Sequence, residues 1–137
     1  SEPAPAPAEP TTPAPAPEAP LGPPDFTDPA WTRVPSRAGK YLVCWRAPAG
    51  PVARNQDFDL EVWVLKDGAP LADATLSVSG WMPDHGHGLL QRPEVHARDD
   101  GSFRVSGMRL HMRGHWQLVF DVLEDSQSEA AECALDL

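Results

Sequence analysis

The sequence is poor in basic residues and has no long apolar run. It holds eleven lysines and arginines against twenty aspartates and glutamates, so its formal net charge is −9 at pH 7. Binding to nucleic acid depends on clustered basic side chains, and the sequence offers no such cluster. A membrane-spanning helix needs about 18 or more apolar residues in succession, and no run of that length occurs. We therefore expect neither a nucleic-acid partner nor a membrane-spanning segment.

Sequence signatures of common catalytic sites are also missing. There is no Gly-x-Ser-x-Gly nucleophile turn, no His-Glu-x-x-His zinc motif and no glycine-rich phosphate loop. The acidic pair Asp99-Asp100 stands directly before Gly101 and is typical of a hairpin turn rather than of a catalytic carboxylate pair. We therefore expect that the protein is not an enzyme.

Only two cysteines are present, and they form no Cys-x-x-Cys pair. Cys44 falls at an apolar position of the first predicted strand, and Cys133 falls at such a position of the last. We predict a disulfide between them, which is typical of an oxidising compartment. Two buried free thiols are the alternative.

Proline is concentrated at the N-terminus. Residues 1–24 contain ten of the seventeen prolines, alternate Pro with Ala and hold no Lys or Arg. This composition lacks the apolar side chains that offset ordering entropy, so we predict that residues 1–24 are disordered or extended and polyproline-like. The tether then covers residues 1–28 and the folded domain covers residues 29–137.

The chain starts without Met or a signal peptide, which indicates processing or truncation. An acidic Pro/Ala tether is typical of the segment that follows the anchor of a bacterial lipoprotein. We therefore expect a periplasmic or cell-surface protein that contacts a membrane through this tether only. A plain interdomain linker is the alternative.

After the tether, short apolar runs alternate with turn residues. The turns recur about every 8–12 residues, which is typical of β-sandwiches. The pattern therefore predicts an all-β fold, an immunoglobulin-like antiparallel β-sandwich of about seven strands. The predicted strands are residues 40–47, 57–66, 72–81, one on each side of Asp100-Gly101, 115–124 and 130–137.

A first segment, SGWMPDHGHGLLQRP (79–93), combines histidine with methionine. Gly86 separates His85 from His87, so an extended backbone points both imidazoles to the same side. Imidazole suits copper, zinc and nickel, whereas thioether sulfur selects Cu(I). Met82 is therefore a candidate thioether ligand, and a packing role is its alternative.

A second segment, MRLHMRGHW (108–116), repeats these residue types. The apolar phase shifts at Gly107, which predicts a β-bulge that re-aims the following side chains. His111 is the expected third imidazole. Met112 can be a ligand together with His111 only if a turn begins at Met112, because neighbouring side chains of a regular strand point to opposite faces. His115 is a reserve candidate, because the turn at Gly114 leaves the direction of its side chain undetermined.

We predict that the two segments lie at one end of the sandwich and share one metal. The expected ion is copper, principally Cu(I), with Cu(II) or zinc as alternatives. His96 lies in an alternating strand among charged residues and is predicted to be a surface residue. The predicted ligands are His85, His87, His111, Met112, Met82 and His115.

Three stretches, GWMPDHGHG, RPEV and DGSFRVSGMRLHMRGHWQLVFDV, resemble the YtkA-like family and the related FixH-like proteins. The resemblance extends over about residues 40–125. These families carry a Met-Pro-x-x-x-His-Gly loop and a Met-x-Gly-x-Trp turn. The corresponding residues are Met82, Pro83, His87 and Gly88 in the loop, and Met112, Gly114 and Trp116 in the turn.

The resemblance implies a small β-sandwich domain of a secreted, anchored or membrane-tethered bacterial protein. It also implies a connection to copper, because several members are associated with copper handling or oxidase assembly. This chain differs by its additional His85, His111 and His115, which favour metal binding. It also has a Pro/Ala tether where some relatives have a membrane helix.

Three functions follow from these observations. The first is a copper-binding domain that chaperones, buffers or delivers copper and has a protein partner that supplies or receives the ion. The second is an immunoglobulin-like interaction or adhesion module without a functional metal. The third is an enzyme or redox copper protein, which the sequence disfavours because a blue-copper site needs a Cys thiolate beside its histidines.

Overall fold

The computed structural model describes residues 23–71 and 73–137. Over these ranges the chain forms ten strands and no helix, and therefore no helix that could cross a membrane. The predicted disorder of residues 1–22 lies outside the described residues. The strands are β1 (Thr32–Pro35), β2 (Leu42–Arg46), β3 (Phe58–Lys66), β4 (Ala69–Pro70), β5 (Thr75–Met82), β6 (His87–Gly88), β7 (Glu94–Ala97), β8 (Phe103–Met108), β9 (His115–Glu124) and β10 (Gln127–Asp136).

The strands form two antiparallel sheets. The larger sheet has the order β1-β2-β3-β8-β7, with β4 added to β3, and the smaller sheet has the order β10-β9-β5-β6. The predicted all-β sandwich is therefore confirmed, and the seven predicted strands are β2, β3, β5, β7, β8, β9 and β10. The sequence does not predict β1, β4 and β6, because β4 and β6 have two residues each and β1 ends at a proline.

The core lies between the two sheets and follows the alternation of the strands. In β5 every second side chain is buried, and β9 alternates in the same way up to Val122. The inward side chains of both sheets form one apolar cluster, in which Leu60 and Phe120 are completely buried. Burial of one such side chain stabilises the fold by about 1.5–3 kcal/mol. This core needs no metal to hold the sheets together.

A second apolar cluster lies on the outer face of the larger sheet. Alternation along β3 predicts that Trp63 lies on the face opposite the core, and the structure places it on that face. Its side chain is nevertheless only 2 % exposed. The reason is the segment before β1, which folds over this face. The ring of Phe26 lies 5.0 Å from the ring of Trp31 and 5.7 Å from that of Trp63, measured between centroids.

Both cysteines are free thiols, so the predicted disulfide is wrong. The side chain of Cys44 packs with Trp31 and Trp63 in the outer cluster, whereas Cys133 lies in the smaller sheet and contacts the central core. Burial raises the pKa of the Cys44 thiol to about 11, and burial also raises the pKa of Cys133. Both are therefore weak nucleophiles at neutral pH.

A polar contact joins the two sheets where β9 ends. The hydroxyl of Tyr41 donates a hydrogen bond to Oε1 of Glu124 at 2.7 Å, and Nζ of Lys66 donates to the same oxygen at 3.1 Å. The hydrogen bond from Tyr41 and then that from Lys66 lower the pKa of Glu124 below its ordinary value. Glu124 is thus stabilised in its ionised form in the folded chain.

We expect Glu124→Gln to destabilise the domain in a pH-dependent way. Because folding lowers the pKa of Glu124, its contribution is present above the ordinary glutamate pKa of about 4.3 and is lost as the pH falls through the lower pKa of the folded chain. The urea midpoint of Glu124→Gln should therefore lie below that of the wild type at pH 7, and the difference should narrow towards about pH 3.

The matched control is Glu132→Gln. Glu132 pairs with Arg37 across the same two sheets, but the two side chains are 38 % and 70 % exposed. Such a surface pair contributes at most about 1 kcal/mol. Equal destabilisation by the two substitutions at pH 7 would contradict the role of Glu124.

The thiols should be distinguishable by labelling. Both should react in unfolded protein that has never been reduced, because no disulfide joins them. In the folded protein Cys133 should react before Cys44, since Cys133 is half-buried and Cys44 is completely buried. The variant Cys133→Ser should lack the faster labelling phase, which identifies that phase as the reaction of Cys133. Faster labelling of Cys44, or no reactive thiol in the unfolded protein, would overturn this expectation.

Candidate functional site

The first histidine segment is a tight connection between β5 and β6. The backbone N–H groups of His85 and Gly86 donate to the carbonyl of Met82, at 3.2 and 2.9 Å. Gly86 has a φ of +68°, which glycine adopts without strain. His87 then stands directly opposite Met82 in the β5–β6 register, so both side chains lie on the inner face of the smaller sheet.

The second segment connects β8 to β9. The predicted bulge is present at Gly107, where the pairs Leu60–Val105 and Phe58–Met108 leave one extra residue on β8. Gly107 has a φ of +81°. After the bulge, the carbonyl of Leu110 accepts a hydrogen bond from the backbone N–H of Asn55 at 2.7 Å. Residues 109–114 are thereby held against the end of the sandwich.

The fold brings three imidazoles from the two segments together. The ring centroids of His85 and His87 are 5.7 Å apart, and those of His87 and His111 are 5.2 Å apart. Trp116 packs edge-on against two of these rings, at 5.6 Å from His111 and 6.4 Å from His87. Its indole N–H donates to the carbonyl of Met112 at 3.0 Å, which fixes the turn that carries His111.

Two ring nitrogens in this cluster are candidate ligand atoms. Nδ1 of His87 lies 3.2 Å from the carbonyl oxygen of Gly88. Because a carbonyl only accepts hydrogen bonds, this contact assigns the proton to Nδ1 and leaves the lone pair on Nε2. Nδ1 of His111 is buried and has no hydrogen-bond partner among the described residues. A buried polar atom without a partner is unusual in a folded protein.

The predicted thioether ligands differ in burial. Met82 is completely buried on the same face as His87. Its terminal methyl lies under Gly114, where a Cβ atom would come within 3.0 Å of it. Met112 is half-buried against the core, and its carbonyl is the acceptor for Trp116. Met82 is therefore the more deeply buried of the two thioethers.

His115 does not join the cluster. It begins β9, so the alternation that turns Trp116 into the core places His115 on the outer face of the smaller sheet. There its Nδ1 lies 2.7 Å from Oδ1 of Asp136, the residue directly opposite in β10. His96 is exposed on β7 beside Glu94, as predicted for a surface histidine.

The clustered rings lie side by side rather than aimed at a common point. Successive ring planes differ by only 28° and 31°. Within the described ranges, no three His, Cys, Asp or Glu side chains stand in a group that could hold a metal ion. Coordination therefore requires side-chain rotation, for which the exposed His85 has the most freedom.

The sequence did not predict a groove of about 730 Å³ along the outer edge of β5. The edge is open because β6 pairs only with Trp81 and Met82 of β5. Leu90, which is 76 % exposed, and Trp81, which is 44 % exposed, flank the groove. The clustered histidines do not line it, so it is a surface separate from the imidazoles.

Comparisons with known proteins bear on the family and on the fold. The family described as YtkA-like matches residues 46–120, which is 75 of the 137 residues. A solved structure of a DUF4426 family protein from Pseudomonas aeruginosa PAO1 is similar, with a TM-score of 0.55 and 11 % identity over 79 % of this chain and 94 % of that chain. At this identity the likeness concerns the fold alone. No curated protein matches.

Gly114→Ala tests the packing of the turn on Met82. Gly114 and Gly50 have similar positive φ values, +132° and +122°, but a Cβ at Gly50 meets nothing within 4 Å. Backbone strain of this kind costs about 1–3 kcal/mol in each variant. Gly114→Ala should lose more stability than Gly50→Ala in urea unfolding, because its Cβ also displaces the Met82 methyl. An equal or smaller loss would contradict the contact.

Proposed function

The chain belongs to the YtkA-like family, and we propose that it is a copper-binding domain that buffers or delivers the ion outside the cytoplasm. The observation that carries this proposal is the imidazole cluster with its unpartnered nitrogen. Nδ1 of His111 is buried and has no hydrogen bond within the part of the chain that the structure describes, and the ring of His87 lies 5.2 Å away. An ion bound between these rings would supply the missing partner.

The available donors fit copper better than the other common metals. His87 presents Nε2 because Nδ1 faces the Gly88 carbonyl, which is the usual arrangement behind a metal-bound histidine. His85 supplies a further imidazole, and the buried Met82 supplies a thioether, with Met112 as the alternative thioether. Thioether sulfur favours Cu(I) and contributes little to zinc binding. Imidazole with thioether therefore selects Cu(I), with Cu(II) as a second state.

The arrangement favours storage or transfer over redox catalysis. A blue-copper site requires a thiolate beside its histidines. Cys44 belongs to the outer cluster, and the pKa of each cysteine is raised by burial, so neither thiol supplies that ligand. We accordingly propose a non-enzymatic role. The acidic Pro/Ala segment supports a periplasmic or cell-surface location, as a lipoprotein or a linked domain, with a protein that supplies or receives copper.

A second candidate function is an interaction module without a functional metal. The open edge of β5 and the exposed Leu90 beside it favour this alternative, because unpaired strand edges accept extended peptides. The alternative needs none of the three imidazoles. Substitution of the histidines therefore separates the two functions.

The test is anaerobic titration of the purified chain with Cu(I) against a competing chelator. We expect one Cu(I) for each chain in the wild type and loss of tight binding in the His85→Ala/His87→Ala double variant. His96→Ala is the control, because His96 is an exposed histidine away from the cluster. If the double variant binds one copper with unchanged affinity, the interaction module is the better description.

Trp116 provides an independent optical readout. It is one of five tryptophans and lies 5.6 Å from the His111 ring. Copper bound at the cluster should quench its fluorescence, and the His85→Ala/His87→Ala double variant should lose this change together with tight binding. Quenching of the same size in the double variant would place the ion elsewhere in the molecule.

A further inference from the structure

We infer that the clustered donors divide into an outer capture ligand, His85, and an inner holding set formed by His87, His111 and Met82. The inference rests on the proposed copper function and specifies how the same site exchanges its ion. His85 then determines the rate of copper exchange, and the inner set determines the affinity for copper. The basis is a gradient of burial and restraint along the cluster.

The outer end of the gradient is free to move. His85 is exposed and lies in the turn of residues 83–86. A Cβ added at the neighbouring Gly86 would meet nothing within 4 Å, so this turn projects into open space. The imidazole of His85 can therefore reach an ion that is still bound by water or by another protein.

The inner end is restrained. His87 is half-buried in β6, and the contact of Nδ1 with the Gly88 carbonyl orients its ring. His111 is held by the edge of Trp116, and the thioether of Met82 is completely buried. These donors have less conformational freedom to lose than His85 when they turn towards an ion, which favours affinity.

His87 connects the two ends. Its ring is the neighbour of both His85, at 5.7 Å, and His111, at 5.2 Å, whereas the described residues include no close ring contact between His85 and His111. An ion captured by His85 thus meets His87 before it meets the buried donors. In each transfer one bond from a donor to Cu(I) forms as another breaks. The ion stays Cu(I), so no electron acceptor is required.

A capture ligand has a distinct kinetic signature. A residue that only lowers the barrier to exchange changes the binding and release rates by the same factor, and the equilibrium affinity stays the same. A residue of the holding set changes the affinity itself. The two roles are therefore separated by measuring Kd and the transfer rate on the same variants.

The experiment compares His85→Ala, His87→Ala and His111→Ala with the wild type and with His96→Ala. Kd comes from anaerobic competition with bathocuproine disulfonate, and the transfer rate comes from stopped-flow mixing of the Cu(I)-loaded chain with excess of the same chelator. For His85→Ala we expect Kd within about threefold of the wild type and transfer slowed by about tenfold or more. Loss of a residue that only hydrogen-bonds to a metal ligand already weakens metal binding by about 10–100-fold. Loss of a ligand itself, as in His87→Ala and His111→Ala, should therefore weaken copper binding by at least about 100-fold.

Each other outcome has a definite meaning. If the wild type binds no Cu(I), both the proposed function and this inference fail. If the wild type binds but His85→Ala weakens binding as much as His87→Ala, the three imidazoles form one undivided site and the inference is overturned. It is also overturned if His85→Ala changes neither Kd nor the rate. Urea unfolding checks the fold, and the exposed His85 should be replaceable without a change in midpoint.

Discussion

The hydrogen bond from the buried indole of Trp116 to the carbonyl of Met112 is the interaction on which the histidine end of the sandwich depends. Trp116 is completely buried, so without this acceptor its N–H would be desolvated and unpaired, at a cost of about 1–3 kcal/mol. The bond fixes the turn before β9. The same indole packs edge-on against His87 and His111, so one core residue positions side chains from two separate segments.

The packing around Trp116 also explains why the candidate site can be both accessible and partly buried. Met82 and His87 stand opposite each other at the end of β5, where the smaller sheet has only the two residues of β6 to cover its edge. At this end the core therefore finishes with Met82 and the three clustered imidazoles and not with a closed layer of apolar side chains. At the distant contact between Glu124, Tyr41 and Lys66, a carboxylate and its donors hold the sheets together instead.

Much of this arrangement follows from local pattern. Alternation of apolar residues predicts seven of the ten strands, and the phase shift at Gly107 predicts the bulge that turns the chain towards His111. His85 and His87 lie side by side, but a turn at Gly86 brings them there and not the extended backbone that the spacing assumes. The position of His115 could also be derived once β9 is known to begin there, because Trp116 must point inward.

The remainder depends on contacts between residues distant in sequence. The disulfide prediction used strand order and apolar phase, but it could not assign Cys44 to the outer face and Cys133 to the other sheet. The burial of Trp63 arises from Phe26, more than thirty residues earlier, in a segment assigned to the tether by composition. The unpartnered nitrogen of His111 depends on tertiary packing that the sequence does not encode locally.

The aromatic cover formed by Phe26 and Trp31 determines how the domain responds to tension. The polypeptide before Phe26 leaves from the outer face of the larger sheet, so a pull along it acts first on these rings and only afterwards on the ladder between β1 and β2. Separate ring contacts of this kind can break one at a time, whereas a ladder pulled along its strands resists with several hydrogen bonds together. We therefore expect the first event under load to be the uncovering of Trp63 and the Cys44 thiol, which pack in a cluster separate from the core.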